Sequence, residues 1–131
     1  MRRAIELAEA EVRDGGAVNT LGPLVHNPQE TARLDAAGIH PVERPDEVSG
    51  DTVVVRAHGA RPETFEALAG RDLRVVDATC PFVARSQRIA REFAQRNLAL
   101  VIVGEDHPEV EGILGYFDGP AFVIGEPEEV E

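Results

Sequence analysis

Four residues of this 131-residue chain share a local pattern that could carry chemistry: His26, His58, Cys80 and His107. Each follows a short, mostly apolar run and stands shortly before a proline (Pro28, Pro62, Pro81 or Pro108) that opens a helical pattern. Glu109 comes one residue after the last of these prolines. Imidazole and carboxyl groups can pass protons near neutral pH. Histidines also ligate metals or donate to anions, and a thiolate ligates metal or attacks as a nucleophile. Such a set has three chemical readings. One is a transition-metal hydrolase, with His26, His58 and His107 as ligands and Glu109 as base. Another is a Cys80–His nucleophile. The third is a redox site, in which Cys80 is one ligand of an iron–sulfur cluster while the histidines and Glu109 serve the substrate. Residue types alone leave all three open, although no HExxH-type pair supports the first. Taken singly, each residue also fits a polar strand terminus or a helix cap. His40 has no such position and reads as a surface residue.

These residues need elements to position them. The spacing predicts a helix over 2–14, stopped by Gly15-Gly16, then a strand over 17–25 interrupted at Gly22-Pro23. Asn27 is a good cap for a helix over 29–37, which Gly38 closes. Residues 39–42 read as a short or edge strand because they contain Pro41, and 46–50 as a loop. Thr52-Val53-Val54-Val55 is the clearest strand, followed by a helix over 62–69 with Phe65 and Leu68 on one face. Leu73, Val75 and Val76 mark a strand that runs into Cys80, where a helix extending to 97 begins at Pro81. A helix N-terminus favours negative charge and so suits a thiolate. A strand over 98–103, a short helix over 109–116, a strand over 121–124 and an acidic tail over 126–131 complete the chain.

This alternation predicts an α/β fold with a parallel, doubly wound sheet. The runs 52–55 and 98–103 are apolar throughout, which predicts strands covered on both faces. Ligands of open α/β sheets bind outside the carboxyl ends of the strands. His26, His58, Cys80, His107 and Glu109 are therefore expected along one edge, with helix N-termini offering free N–H groups to an anion.

Composition narrows the function. The formal net charge is −11 and no basic stripe is evident, which argues against a nucleic-acid partner. An anionic ligand would have to be held by local features against the overall field. A single cysteine makes no internal disulfide and fits a reducing cytoplasm. No apolar run is long enough to span a membrane, and the amphipathic, soon acidic start is not a secretory signal.

Four motifs carry a resemblance. Gly22-Pro23-Leu24-Val25-His26-Asn27-Pro28-Gln29 contains a Val-His-Asn motif, and Val55-Arg56-Ala57-His58-Gly59 contains an Ala-His-Gly motif. Asp77-Ala78-Thr79-Cys80-Pro81 and His107-Pro108-Glu109-Val110-Glu111-Gly112 follow in order. The set, in this order and at about this spacing, resembles the 4-hydroxy-3-methylbut-2-enyl diphosphate reductases of LytB type over essentially the whole chain. The resemblance implies reductive removal of a hydroxyl to give isopentenyl and dimethylallyl diphosphate, the last step of the non-mevalonate isoprenoid pathway. It implies three α/β domains about a pseudo-threefold axis, each giving one cysteine to a central 4Fe-4S cluster. Cys80 would be one cluster ligand. His26 and His58 would hold the substrate's diphosphate. His107 would bind substrate and help relay protons, and Glu109 would deliver the proton that lets water leave. The implied partners are a small diphosphate substrate and an electron donor such as ferredoxin or flavodoxin, in the cytoplasm, with no membrane or nucleic acid.

The chain departs from the family pattern in places. The family's first cysteine lies in a Gly-Phe-Cys-x-Gly motif just before the segment matched by Arg2-Arg3-Ala4. The third cysteine and the Ser/Asn diphosphate contacts would lie beyond Glu131. Ile113 stands where many relatives carry Thr. The resemblance thus implies a partial chain, inactive by itself, with a first domain over 1–80 and the start of a second over 81–131. A non-catalytic phosphate- or metal-binding α/β module that kept the histidines is the alternative from another class.

Overall fold

The computed structural model describes residues 2–126 and Glu128. The chain divides into two compact units, residues 1–80 and 81–131.

The first unit is a four-stranded, wholly parallel sheet of order β2-β1-β3-β4. Its strands are β1 (Val18–Leu21), β2 (Ile39–Val42), β3 (Thr52–Val55) and β4 (Arg74–Asp77). Helices α1 (Arg2–Arg13), α2 (Pro28–Ala36) and α3 (Pro62–Ala69) alternate with them. The β-branched run of β3 lies inside the sheet, and Val53, Val54 and Val55 are fully buried. Alternate side chains leave opposite faces of a strand. Val54 accordingly joins Ala4, Ala8, Leu34 and Ile39 in one apolar cluster, while Val53 and Val55 join Leu68, with Phe65 packed alongside, in another. The sheet is thus sandwiched between helices, as a parallel sheet requires. Each buried Val or Leu contributes about 1.5–3 kcal/mol.

Polar groups fix the rest of this unit. Asn19 of β1 is buried, at 4% exposure. Its Oδ1 accepts the backbone N–H groups of Ser49 and Gly50 at 3.0 and 3.1 Å, and its Nδ2 donates to the His40 carbonyl at 3.2 Å. One side chain therefore ties the β2–β3 connection to the middle of the sheet. Arg74 of β4 holds Glu11 of α1 at 2.8 Å, and Arg33 of α2 bridges Glu9 and Glu30. The Arg33 hydrogen bond holds the Glu30 carboxyl below its ordinary value.

The second unit contains α4 (Pro81–Gln95), β5 (Leu100–Val103), α5 (Pro108–Leu114) and β6 (Ala121–Ile124), with β5 and β6 paired in parallel. Val83, Gln87 and Ala90 form the buried stripe of α4. The Arg91 guanidinium lies 5.0 Å from the centre of the Tyr116 ring.

Several expectations need correction. The strands lie in two parallel sheets rather than in the one doubly wound sheet that their alternation suggested. The first strand ends at Leu21 rather than continuing to 25, because Gly22 adopts φ +71° and turns the chain out of the sheet. Helix α4 stops at Gln95, two residues early, where Asn97 enters the left-handed region at φ +53°. The apolar run of β5 is not covered on both faces: Leu100 is buried, but Val101 and Val103 are 53% and 78% exposed. A two-stranded sheet has no neighbouring strands to carry a second layer across that face. In the acidic tail, residues 127 and 129–131 lie outside the described residues.

Candidate functional site

Strand order 2-1-3-4 has its switch point between β1 and β3. From β1 the chain moves outward to β2, then crosses back to place β3 on the other side of β1. A crevice opens at the carboxyl ends of strands on either side of such a point. The loop after β1 carries His26 and the loop after β3 carries His58. Their rings stack with centroids 6.3 Å apart and planes 21° from parallel. His26 is exposed, whereas His58 is half-buried. Asn27 positions the first of them by capping α2: its side chain accepts from the N–H groups of Gln29 and Glu30 at 2.9 and 3.3 Å. A groove of about 500 Å³ beside His26 is lined by Pro23, Val25, Thr31, Asp35 and Pro41, and reaches neither His58 nor Cys80.

Cys80 reaches the same edge through β4. The pairing of β3 with β4 continues past both strands: Ala78 N–H donates to the Val55 carbonyl and Cys80 N–H to the Ala57 carbonyl, each at 2.9 Å. The Asp77 carboxylate then bends the chain. It accepts the Thr79 backbone N–H at 2.9 Å and also the Thr79 hydroxyl. Such Asx turns are what an Asp two residues upstream provides. Cys80 is left half-buried, one backbone bond away from the residue that precedes His58.

His107 and Glu109 follow β5 of the second sheet. His107 is the N-cap of α5, and its Nδ1 accepts the Glu109 backbone N–H at 3.2 Å. A backbone amide can only donate, so Nδ1 carries no proton in this arrangement. The neutral ring then holds its proton on Nε2. His40, as read from sequence, is a surface residue; its Nδ1 lies 2.6 Å from Asp35.

One further expectation fails. The first-turn N–H groups of α2 are not all free for an anion, because Asn27 already takes two of them, and His107 takes one of α5. Among the described residues, no group of three or more His, Cys, Asp or Glu side chains stands where it could hold one metal ion. Sequence reasoning passed over Asp77 and Thr79 as positioning residues, although an Asp-x-Thr at a strand end signals an Asx turn.

Fold and edge together define a parallel α/β protein with two histidines at the sheet's switch point and a cysteine on the adjacent strand end. The family model described as "LytB protein" matches residues 1–131. The 4-hydroxy-3-methylbut-2-enyl diphosphate reductase of Aquifex aeolicus is 41% identical over 135 residues, spanning 99% of this chain and 47% of that protein. The reductase of the same name from Dehalococcoides mccartyi strain CBDB1 is 41% identical over 129 residues, spanning 98% and 45%. A solved structure of (E)-4-hydroxy-3-methyl-but-2-enyl diphosphate reductase, "the terminal enzyme of the non-mevalonate pathway", superposes with a TM-score of 0.85 at 41% identity, covering 98% of this chain and 48% of its own. The Plasmodium falciparum E-1-hydroxy-2-methyl-but-2-enyl-4-diphosphate reductase gives 0.87 at 25% identity, covering 98% and 42%. The chain belongs to the LytB family. It spans about half the length of the curated relatives it matches, and among the described residues no helix is long and apolar enough to cross a membrane.

Proposed function

We propose that this chain forms the first domain (1–80) and the start of the second (81–131) of a 4-hydroxy-3-methylbut-2-enyl diphosphate reductase. The observation that carries the reading is the stacked His26–His58 pair at the switch point, beside Cys80. His26 and His58 hold the diphosphate. Hydrogen bonds between a charged group and a phosphate oxygen are shorter and stronger than neutral ones, and so can hold an anion against the net negative field. Cys80 is one ligand of a 4Fe-4S cluster. The donor set fits that role in part: the thiol is half-buried and its backbone is pinned, but the chain has one cysteine, so the remaining ligands are not among its residues. When bound, the cluster would pass on the two electrons of the reduction, one at a time, from an external donor.

The reaction breaks the C–O bond of the allylic alcohol. It consumes two electrons and two protons, and it releases water and the isoprenyl diphosphate. Glu109 delivers the proton that converts the departing hydroxyl to water, and His107 binds substrate through Nε2–H and relays protons. The cap bond between His107 Nδ1 and Glu109 N–H joins both residues in one turn. Ferredoxin or flavodoxin is the electron donor, and the setting is the reducing cytoplasm.

Calorimetric titration of the chain with 4-hydroxy-3-methylbut-2-enyl diphosphate tests the reading. Binding that weakens about tenfold or more in each of His26→Asn and His58→Asn is expected, the loss of one charged hydrogen bond. Affinity unchanged in both variants would contradict it.

A further inference from the structure

The positions next to the two histidine loops hold a pair that the function above leaves unused. Leu21 and Val55 are register partners at the carboxyl ends of β1 and β3, so Gly22 and Arg56 are the next pair outward. Gly22 is buried and at φ +71°, and the Arg56 side chain lies across it. A Cβ placed on Gly22 would stand 2.5 Å from Arg56 Nη1, 2.9 Å from Cζ and 3.3 Å from Nε. The guanidinium thus rests on the very surface that a side chain at Gly22 would fill, at the switch point. Arg33 and Arg74 hold carboxylates, and Arg3 and Arg71 hold backbone carbonyls. Half-buried Arg56 has no such ion pair or carbonyl among the described residues. Arg61, Arg85, Arg88 and Arg96 stand exposed to water, whereas Arg56 is half-buried at the sheet edge, where a cation without a counter-ion calls for a ligand.

We propose that Arg56 is a third contact for the phosphate oxygens bound between the β1 and β3 loops, and that Gly22 is glycine so that the guanidinium can lie there. The proposal rests on the diphosphate reading of His26 and His58. A planar guanidinium presents paired N–H donors to phosphate oxygens and stays charged at all working pH values. It would hold the anion when the histidines are neutral.

Titration of the 131-residue chain with inorganic pyrophosphate at several salt concentrations tests this. Arg56→Gln is expected to weaken binding about tenfold or more and to flatten its salt dependence, because a screened charge has been removed. Its melting temperature should stay unchanged, and Arg56→Lys should recover part of the affinity. Gly22→Ala should weaken binding similarly by displacing the guanidinium; if that variant does not fold, Arg56→Gln decides alone. Wild-type affinity and salt dependence in Arg56→Gln would overturn the proposal, as would an absence of pyrophosphate binding by the unmodified chain. If His26→Asn and His58→Asn lose binding while Arg56→Gln keeps it, this inference falls and the histidine reading stands. If only Arg56→Gln loses binding, the histidine reading falls, and with it the place of Arg56 as a third contact.

Discussion

The backbone N–H of Cys80 donates to the carbonyl of Ala57 at 2.9 Å. That bond places the cysteine next to the His58 loop, although 22 positions separate Cys80 from His58 in the sequence. The Asp77 carboxylate prepares it by taking both the N–H and the hydroxyl of Thr79, a residue that is 8% exposed. Asp77→Ala leaves those two donors without their acceptor. It should lower stability by about 1–3 kcal/mol and make the Cys80 thiol react faster with a disulfide reagent. Thermal melting and thiol-labelling rates check this; unchanged values of both would show that the turn is held by other means.

Asn19→Ala removes three hydrogen bonds from a buried side chain. Two backbone amides, of Ser49 and Gly50, lose their acceptor, and each unsatisfied buried group costs about 1–3 kcal/mol. A destabilisation of about 2–4 kcal/mol in urea unfolding is expected. A loss under about 0.5 kcal/mol, the range of a neutral surface change, would mean that water replaces the side chain.

Cys80 is the chain's one thiol, and cluster iron is held by several thiolates. Anaerobic reconstitution of this chain with iron and sulfide is expected to leave no stable cluster in the monomer. Visible absorption and iron counting read the outcome. A brown monomer with nearly four irons would contradict the expectation, while a brown dimer would show two chains sharing a cluster through paired Cys80 residues.

Glu109→Gln, in a reductase of the relatives' full length carrying this segment, should retain cluster and substrate binding but lose about 10²–10⁴-fold in turnover. Gln keeps the size and hydrogen bonding of the side chain and removes the proton. Reduction at a near-normal rate would assign the proton to another group.

Much of this was legible in the residues. Thr52–Val55 forms β3 as its β-branched run demands, Asn27 caps α2, and Pro41 marks β2 as an edge strand. The strand–residue–proline–helix pattern located His26, His58, Cys80 and His107 at strand ends. Other features depend on tertiary context that periodicity does not carry. The apolar residues after Gly22 prolonged the first strand on paper, and only the positive φ of Gly22 ends it. The runs of β3 and β5 look alike, but one lies inside four strands and the other in a pair, so only the first is covered on both faces. Arg56 carries no local signal, because its role depends on a glycine 34 positions away in sequence and next to it across the sheet.

The central claim is that the β1 and β3 loops bind the substrate's diphosphate through His26 and His58. Histidine ring resonances, followed by NMR while 4-hydroxy-3-methylbut-2-enyl diphosphate is added to the chain, test it most directly. His40 is an internal control, since it sits on edge strand β2 against Asp35. The account predicts that the His26 and His58 signals shift together and saturate with one dissociation constant while His40 stays in place. Unmoved His26 and His58 rings, or shifts of equal size at His40, would contradict it.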